Sequence, residues 1–417
     1  PILIAGRSSG TGIIIYERFL RPQDNNGDRH FFASPVSGQT IATFKSSNLF
    51  GEPAVSKVTN LWEWNELAGD WPDVTMSTGS FIPGKGYNVT QAAGSDGLLK
   101  FQGSLVHSAS INTTSPYKEG YTDRSTAAAY GVGNETADIW ATGRSWTNYG
   151  GGGWNLLGNP FTSAMDANLF IANNLIKFDP DYQALYVFDG VAGVYKYSAA
   201  SVPAYPEEIS SHGNYIQAGQ GFFVLSLNNN TQFNFSSNMQ VHQPGTPILK
   251  SARSEDLWPG LQLKVQYGEK ASTTLILYHD KMSKTLDPGY DVGQLSTNPD
   301  VEIYTALIEK DNGVNFARQA LPIAEAETLV VPVGIDAEYG GTVTFSAYTV
   351  PLDNKKFWLE DRLNGTFTDL NSNTYTVTLP GKTFGTGRFY IIASANTPTA
   401  INRPEEEEYG LRIWPSG

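Results

Sequence analysis

The chain contains no cysteine, which removes disulfides, thiolate metal ligands and cysteine nucleophiles together while leaving the redox compartment open. It has no apolar run of the ~18 residues that would span a bilayer as a helix. Its opening residues, Pro1-Ile2-Leu3-Ile4-Ala5, lack the basic region and long apolar core of a signal peptide. Positive charge is scarce, with 28 Lys+Arg against 41 Asp+Glu and a formal charge of −13. That balance repels phosphate backbones and anionic lipid, so neither nucleic acid nor membrane insertion is expected. Histidine is rare as well. His30, His107, His212, His242 and His279 stand singly, without the i, i+4 spacing of a helical zinc site.

What is present is a long, aromatic, turn-rich chain. At 417 residues it exceeds a single ordinary core, and its 40% hydrophobic and 12% aromatic content supplies apolar material for several. The 42 glycines and 23 prolines point to many turns and little helix. An opening at Pro1 without Met reads as a piece cut from something longer.

The first half is organised by an internal repeat, whose detection fixes the rest of the reading. His30-Phe31-Phe32-Ala33-Ser34-Pro35 matches Asn155-Leu156-Leu157-Gly158-Asn159-Pro160. Leu61-Trp62-Glu63-Trp64-Asn65 matches Leu185-Tyr186-Val187-Phe188-Asp189, and Phe81 to Val89 matches Tyr215 to Val224 with one slip around the glycines. Leu99-Lys100-Phe101 matches Phe233-Asn234-Phe235. The copies grow apart between Tyr197 and Tyr215, where a surface loop is inserted. Each matched piece alternates with period two between Gly, Pro or Asn, as strands do. The glycine blocks are read as tight turns and not as phosphate loops, since no Lys-Ser/Thr follows them.

Beyond Pro247 the spacing changes. Strands are expected at 261–267, 273–278, 328–333, 342–347, 357–360, 375–379 and 388–393. The one helix expected is short, 166–174. From Asn396 the chain runs through prolines into Glu405–Glu408, an acidic linker, and the last nine residues read as the opening strand of a further domain. The expected fold class is all-β: tandem antiparallel β-sandwiches of jelly-roll or immunoglobulin-like type. The expected units are 1–118 and 119–245, which form the repeat, then 246–396, then 397–417 as linker and domain start.

These residues carry a resemblance. Phe31 to Gly38, Gly153 to Phe161 and Tyr215 to Val224 resemble segments of large surface proteins of Bacteroidota, adhesins among them. The third unit, with Asp287-Pro288-Gly289-Tyr290-Asp291 and Trp358 to Leu370, looks like the sandwich that precedes a type IX secretion sorting domain, and Leu411 to Pro415 is similar to that domain's first strand. The resemblance implies export across the outer membrane, an extracellular or cell-surface location, and partners among surface proteins, glycans or other domains of the parent chain. It implies no enzyme activity. Most of the sorting domain is missing from it.

The chemistry-bearing patterns are few. Gly6-Arg7-Ser8-Ser9-Gly10 fits a nucleophile elbow but lacks the following helix. Near-neighbour carboxylates, Asp70/Asp73, Asp179/Asp181 and Glu360/Asp361, read as solvated turns, because glycosidase pairs must face each other across a cleft. Calcium is the one candidate cofactor, at Asp24, Asn26 and Asp28 and again at Asp287 and Asp291, where closely spaced oxygens sit in turns; Asx turns are the plainer account. Trp140, Trp146 and Tyr149, with Trp71, are the candidate ligand-binding platforms, as exposed rings would stack on sugars. Trp62 and Trp64 share one strand face and are expected in the core. The sequence thus points to a non-catalytic adhesion or structural segment, with a carbohydrate-binding module as the alternative.

Overall fold

The computed structural model describes residues 12–22, 29–115, 131–132, 152–189, 194–199, 214–242, 257–296, 300–381 and 383–399. The chain is mostly strand, and two α-helices occur among the described residues, so the all-β expectation holds.

The first group of elements comprises β1 (Ile14–Phe19), β2 (His30–Phe32), α1 (Ile41–Ser47), β3 (Val58–Glu63), β4 (Tyr87–Gln91) and β5 (Leu98–Gly103). β1 pairs antiparallel with β5, and β2-β4-β3 form a second sheet. Between them lies a core that includes Phe32, Phe44, Phe81, Tyr87 and Phe101. Phe44 stacks on Phe101 at 4.9 Å and meets Phe81 edge-on at 5.2 Å, arrangements that add to plain area burial. Helix α1 was not expected. It forms because Thr40 caps it, accepting from the Thr43 amide at 3.0 Å, and because Ile41 and Phe44, three apart, reach the core together.

The second group comprises β6 (Ala109–Thr113), β7 (Trp154–Gly158), α2 (Ala167–Asn174), β8 (Leu185–Asp189), β9 (Val194–Ser198), β10 (Gly221–Leu225) and β11 (Thr231–Phe235). β6 pairs with β11, and β7-β10-β8-β9 form the sheet. Asp166 caps α2 through the Leu169 amide at 3.1 Å, as the expected helix start required. Phe170, Phe178, Phe222, Phe233 and Phe235 fill this core.

Each helix ends on an asparagine that does three jobs. Asn48 Nδ2 donates to the Phe44 carbonyl at 2.8 Å and to the Lys100 carbonyl at 3.0 Å, and its Oδ1 accepts from the Lys100 amide at 2.7 Å. Asn174 does the same with Phe170, at 2.9 Å, and with both backbone groups of Asn234, at 3.0 and 2.9 Å. A side-chain amide has donor and acceptor on one plane, so it mimics a neighbouring strand against β5 and β11 while closing a free helix carbonyl.

The third group is one eleven-stranded sheet. Its longer strands are β12 (Gly260–Tyr267), β13 (Lys270–His279), β14 (Glu302–Thr305), β15 (Phe316–Pro322), β16 (Val330–Asp336), β17 (Gly341–Val350), β18 (Lys356–Asp361), β19 (Thr366–Asp369), β20 (Tyr375–Leu379) and β21 (Phe389–Ser394). The order is β19-β18-β21-β16-β14-β15-β13-β12-β17-β20. The sheet turns back on itself around one core, for Phe345 of β17 meets Phe389 of β21 at 4.8 Å. The β13–β15 ladder is parallel, against the antiparallel expectation. β14 and β15 were not expected either, since every residue of both is buried and no alternation marks them. Asp361 and Arg388 form a buried ion pair at 2.8 Å, closed by the Tyr375 hydroxyl at 2.8 Å. Burial alone would raise the Asp361 carboxyl, but Arg388 and Tyr375 hold it below the ordinary carboxylate range.

Asn48→Ala and Asn174→Ala each leave buried backbone groups without partners, at roughly 1–3 kcal/mol per group. Both variants should therefore unfold at clearly lower denaturant concentration than the unsubstituted chain. An unchanged midpoint for both would show that the asparagine bonds contribute nothing net.

Candidate functional site

Of the candidate platforms, Trp71 is described, and together with Trp64, which was expected in the core, it packs on the outer face of the β7-β10-β8-β9 sheet. Residues 62–73 form a hairpin in which Trp62 pairs with Asp73 and Asn65 with Asp70, so Trp64 and Trp71 lie directly opposite each other. Their rings sit 5.0 Å apart. Trp71 stacks on Phe31 at 5.6 Å with an 11° interplanar angle, and Phe223 of β10 meets Trp64 and Trp71 edge-on. The Trp64 indole donates to the Trp154 carbonyl at 2.5 Å, and the buried Glu66 carboxylate accepts from the Gly153 amide at 2.8 Å. Burial raises the Glu66 carboxyl.

Backbone bonds seal the same seam. The Gly86 amide donates to the Leu156 carbonyl, and the Gly158 amide to the Gly84 carbonyl, both at 3.0 Å. Phe32 bridges to Gln220, and Lys85 to Leu157. A Cβ on Gly86 would stand 2.4 Å from Leu156, and one on Gly221 2.7 Å from the Phe31 backbone. These glycines therefore permit backbone contact between the first and second groups. At the other end of the same face, Tyr182, Tyr186 and Tyr197 pack against Val292, Val314 and Phe316 of the third group. The Tyr186 hydroxyl donates to the Gly293 carbonyl at 2.7 Å.

Trp71 is thus a half-buried seam residue. Trp62 and Trp64, expected in the core, are half-buried too; Trp62 faces outward with the Arg29 guanidinium 5.5 Å from its ring. The other proposed platforms, Trp140, Trp146 and Tyr149, lie outside the described residues, as do the candidate calcium residues Asp24, Asn26 and Asp28 and the Ser8 motif.

Asp287 and Asp291 do come together, as loop staples. Asp291 accepts from the Ala320 and Asp287 amides at 2.8 and 2.7 Å, and Asp287 accepts from the Ser283 amide at 2.6 Å. Arg318, bound to the Tyr290 and Gly289 carbonyls at 2.8 and 2.6 Å, puts the chain's own cation beside them. Burial pushes the Asp291 carboxyl up to about 7 in spite of these donors. No group of three His, Asp or Glu able to hold a metal occurs among the described residues. Of the paired carboxylates, Asp361 is held by Arg388 and Glu360 lies 3.3 Å from Arg362, while Asp179 caps a short turn.

A family profile described as a domain of unknown function (DUF8693) matches residues 3–392. The chain belongs to the DUF8693 family. No curated protein and no solved structure matches it.

The DUF8693 span holds one carboxylate pair that sequence spacing could not reveal. Glu302 of β14 and Asp336 of β16 lie 34 positions apart and directly opposite in the ladder. Glu302 accepts from the Ser296 hydroxyl at 2.7 Å, and Asp336 from the Tyr304 hydroxyl at 2.7 Å and the Gly385 amide at 3.1 Å. Burial first, and then Asp336, pushes the Glu302 carboxyl up to about 7. A carboxyl raised on folding stabilises the chain while it keeps its proton. That contribution is lost as pH climbs from the free glutamate value, about 4.3, through about 7. Glu302→Gln should remove this loss, making the variant more stable than the unsubstituted chain by roughly 1–3 kcal/mol near pH 8 and little different near pH 5. Denaturation midpoints at the two pH values measure it, and equal pH dependence in both proteins would contradict the account.

Proposed function

We propose that this chain is a non-catalytic extracellular segment of a large exported bacterial surface protein, serving adhesion or the spacing of neighbouring domains. In this reading it contains two duplicated β-sandwich units followed by a third. The reading is carried by the reciprocity of the seam. Phe32 corresponds to Leu157 and Lys85 to Gln220 in the sequence match, so the bridges Phe32–Gln220 and Lys85–Leu157 are the same contact made twice. The asparagine clamps support it as well: Thr40, Phe44 and Asn48 recur as Asp166, Phe170 and Asn174 at a constant step, and each clamp grips the matching strand residue, Lys100 or Asn234. In this reading β6, which pairs with β11, is counted with the second unit, so we draw the boundary between the units at residues 104–108 where the sequence suggested 118.

Two copies bolted face to face, with their largest aromatics in the joint, make a stiff body suited to holding things apart. Export and surface location rest on the resemblance to Bacteroidota surface proteins, and the partner is a surface protein, a glycan or another domain of the parent chain. Beads coated with the chain should attach to protein- or glycan-coated surfaces, while the soluble chain releases no reducing ends from a polysaccharide panel. Sugar release that disappears on substituting a carboxylate would overturn the reading.

A second reading, glycan binding, is favoured by Trp62, which keeps ring surface at the outside of the β2-β4-β3 sheet beside Arg29. Trp62→Ala should then weaken binding to any glycan that the chain retains on an array by about tenfold, or 1.4 kcal/mol, without moving the thermal midpoint. Unchanged binding would eliminate Trp62 as the platform.

A further inference from the structure

We infer that Asn312 is a self-modification site, where the side-chain amide cyclises onto the Gly313 nitrogen and converts to aspartate or isoaspartate. Three Asn-Gly steps occur in the chain, at Asn26, Asn312 and Asn364, and Asn26 lies outside the described residues. In each the ring to be closed has five members, the glycine nitrogen with C, Cα, Cβ and Cγ of the asparagine. Nucleophile and electrophile are therefore tethered, and glycine brings no Cβ to obstruct their approach. What separates the two described sites is the set of groups around that ring.

At Asn312 three partners stand where the reaction needs them. The Gly313 amide donates to Asp311 Oδ1 at 3.0 Å, so a carboxylate already holds the proton that the nitrogen must lose. The Val314 amide donates to Asn312 Oδ1 at 3.2 Å. That bond folds the side chain back over the following peptide and sets a donor on the oxygen where negative charge develops during attack. Nδ2, the leaving nitrogen, donates to Asp181 Oδ1 at 2.8 Å. The arrangement at Asn364 differs. Its Nδ2 is held by Asp361 Oδ2 and the Tyr375 hydroxyl at 3.0 and 3.1 Å, but among the described residues no donor reaches its Oδ1 and no carboxylate accepts from the Gly365 amide.

Asp311 takes the Gly313 proton, the nitrogen bonds to Cγ, the Cγ–Nδ2 bond breaks, and the amide nitrogen leaves as ammonia with that proton. Water then opens the succinimide at either carbonyl. The product reverses a contact between the second and third groups, for a carboxylate faces Asp181 where an amide had donated to it, and like charges so placed repel. Isoaspartate also lengthens the backbone by one carbon close before Val314, whose side chain is buried in the joint.

Peptide mass mapping of the full chain, held near neutral pH for weeks and probed with an isoaspartyl methyltransferase, tests the proposal. Asn312 should convert at least about tenfold faster than Asn364, since a placed base contributes roughly 10²- to 10⁴-fold. Asp311→Asn keeps an acceptor of the same shape for the Gly313 amide but is no base, so it should slow position 312 by at least about tenfold and leave position 364 unchanged. In urea, which dissolves the arrangement, the two sites should convert at similar rates. Conversion at 312 no faster than at 364, or a rate that Asp311→Asn leaves intact, would overturn the proposal. So would a preference for 312 that persists in urea, since it then belongs to the local sequence and not to the fold.

Discussion

A sheet with apolar side chains on both faces must be covered on both. The β7-β10-β8-β9 sheet is of this kind: Leu157, Phe222 and Val224 face its own helix and β11, while Leu156, Phe223 and Tyr186 face the other way. At roughly 25 cal/mol per Å² of apolar surface removed from water, an uncovered second face of this size would be too costly to leave exposed. The first group covers one end with Phe31, Trp64 and Trp71, and the third covers the other with Val292, Val314 and Phe316. The three groups are therefore not beads on a string. Each neighbour completes the core of the middle one.

That constraint explains features otherwise unrelated. Glycines stand where backbones from different groups touch, because a Cβ would hold them apart. Trp64 and Glu66 extend from a hairpin to bind the Trp154 carbonyl and the Gly153 amide, so these two backbone groups of the seam are paired where water has been expelled. The third group adds Tyr186 to Gly293 and Asn312 to Asp181, at 2.7 and 2.8 Å. Tryptophan suits a joint of this kind, since it brings a large apolar ring together with one donor that a carbonyl can satisfy.

Much of the architecture was readable beforehand. Period-two alternation located β12, β16, β17 and β20 within a few residues, because one face of each is core and the other is wetter. Alternation failed at β14 and β15, whose residues are buried on both sides. Helix α1 escaped notice since its seven residues include Thr, Phe and two Ser, and only the Thr40 cap and the Phe44 anchor hold it. For the candidate site, Trp71 was singled out as a platform, yet its ring lies on Phe31, which comes from 40 residues away in the chain. Asp287 and Asp291 were recognised as a turn, but Arg318 could not be associated with them without the β13–β15 pairing.

By itself the sequence determined the all-β class, the matched segments of the first half, the turn-forming glycines and the lack of thiol chemistry. These are local properties, set by backbone propensity, side-chain period and composition. Only the tertiary structure decided that Trp64 and Trp71 close a seam, that Glu302 faces Asp336, and that the exposed side of β1 is apolar at Ile15 and Phe19 where that of β6 is polar. Register and burial depend on which strands meet, and that is settled by the summed packing of residues far apart in the chain.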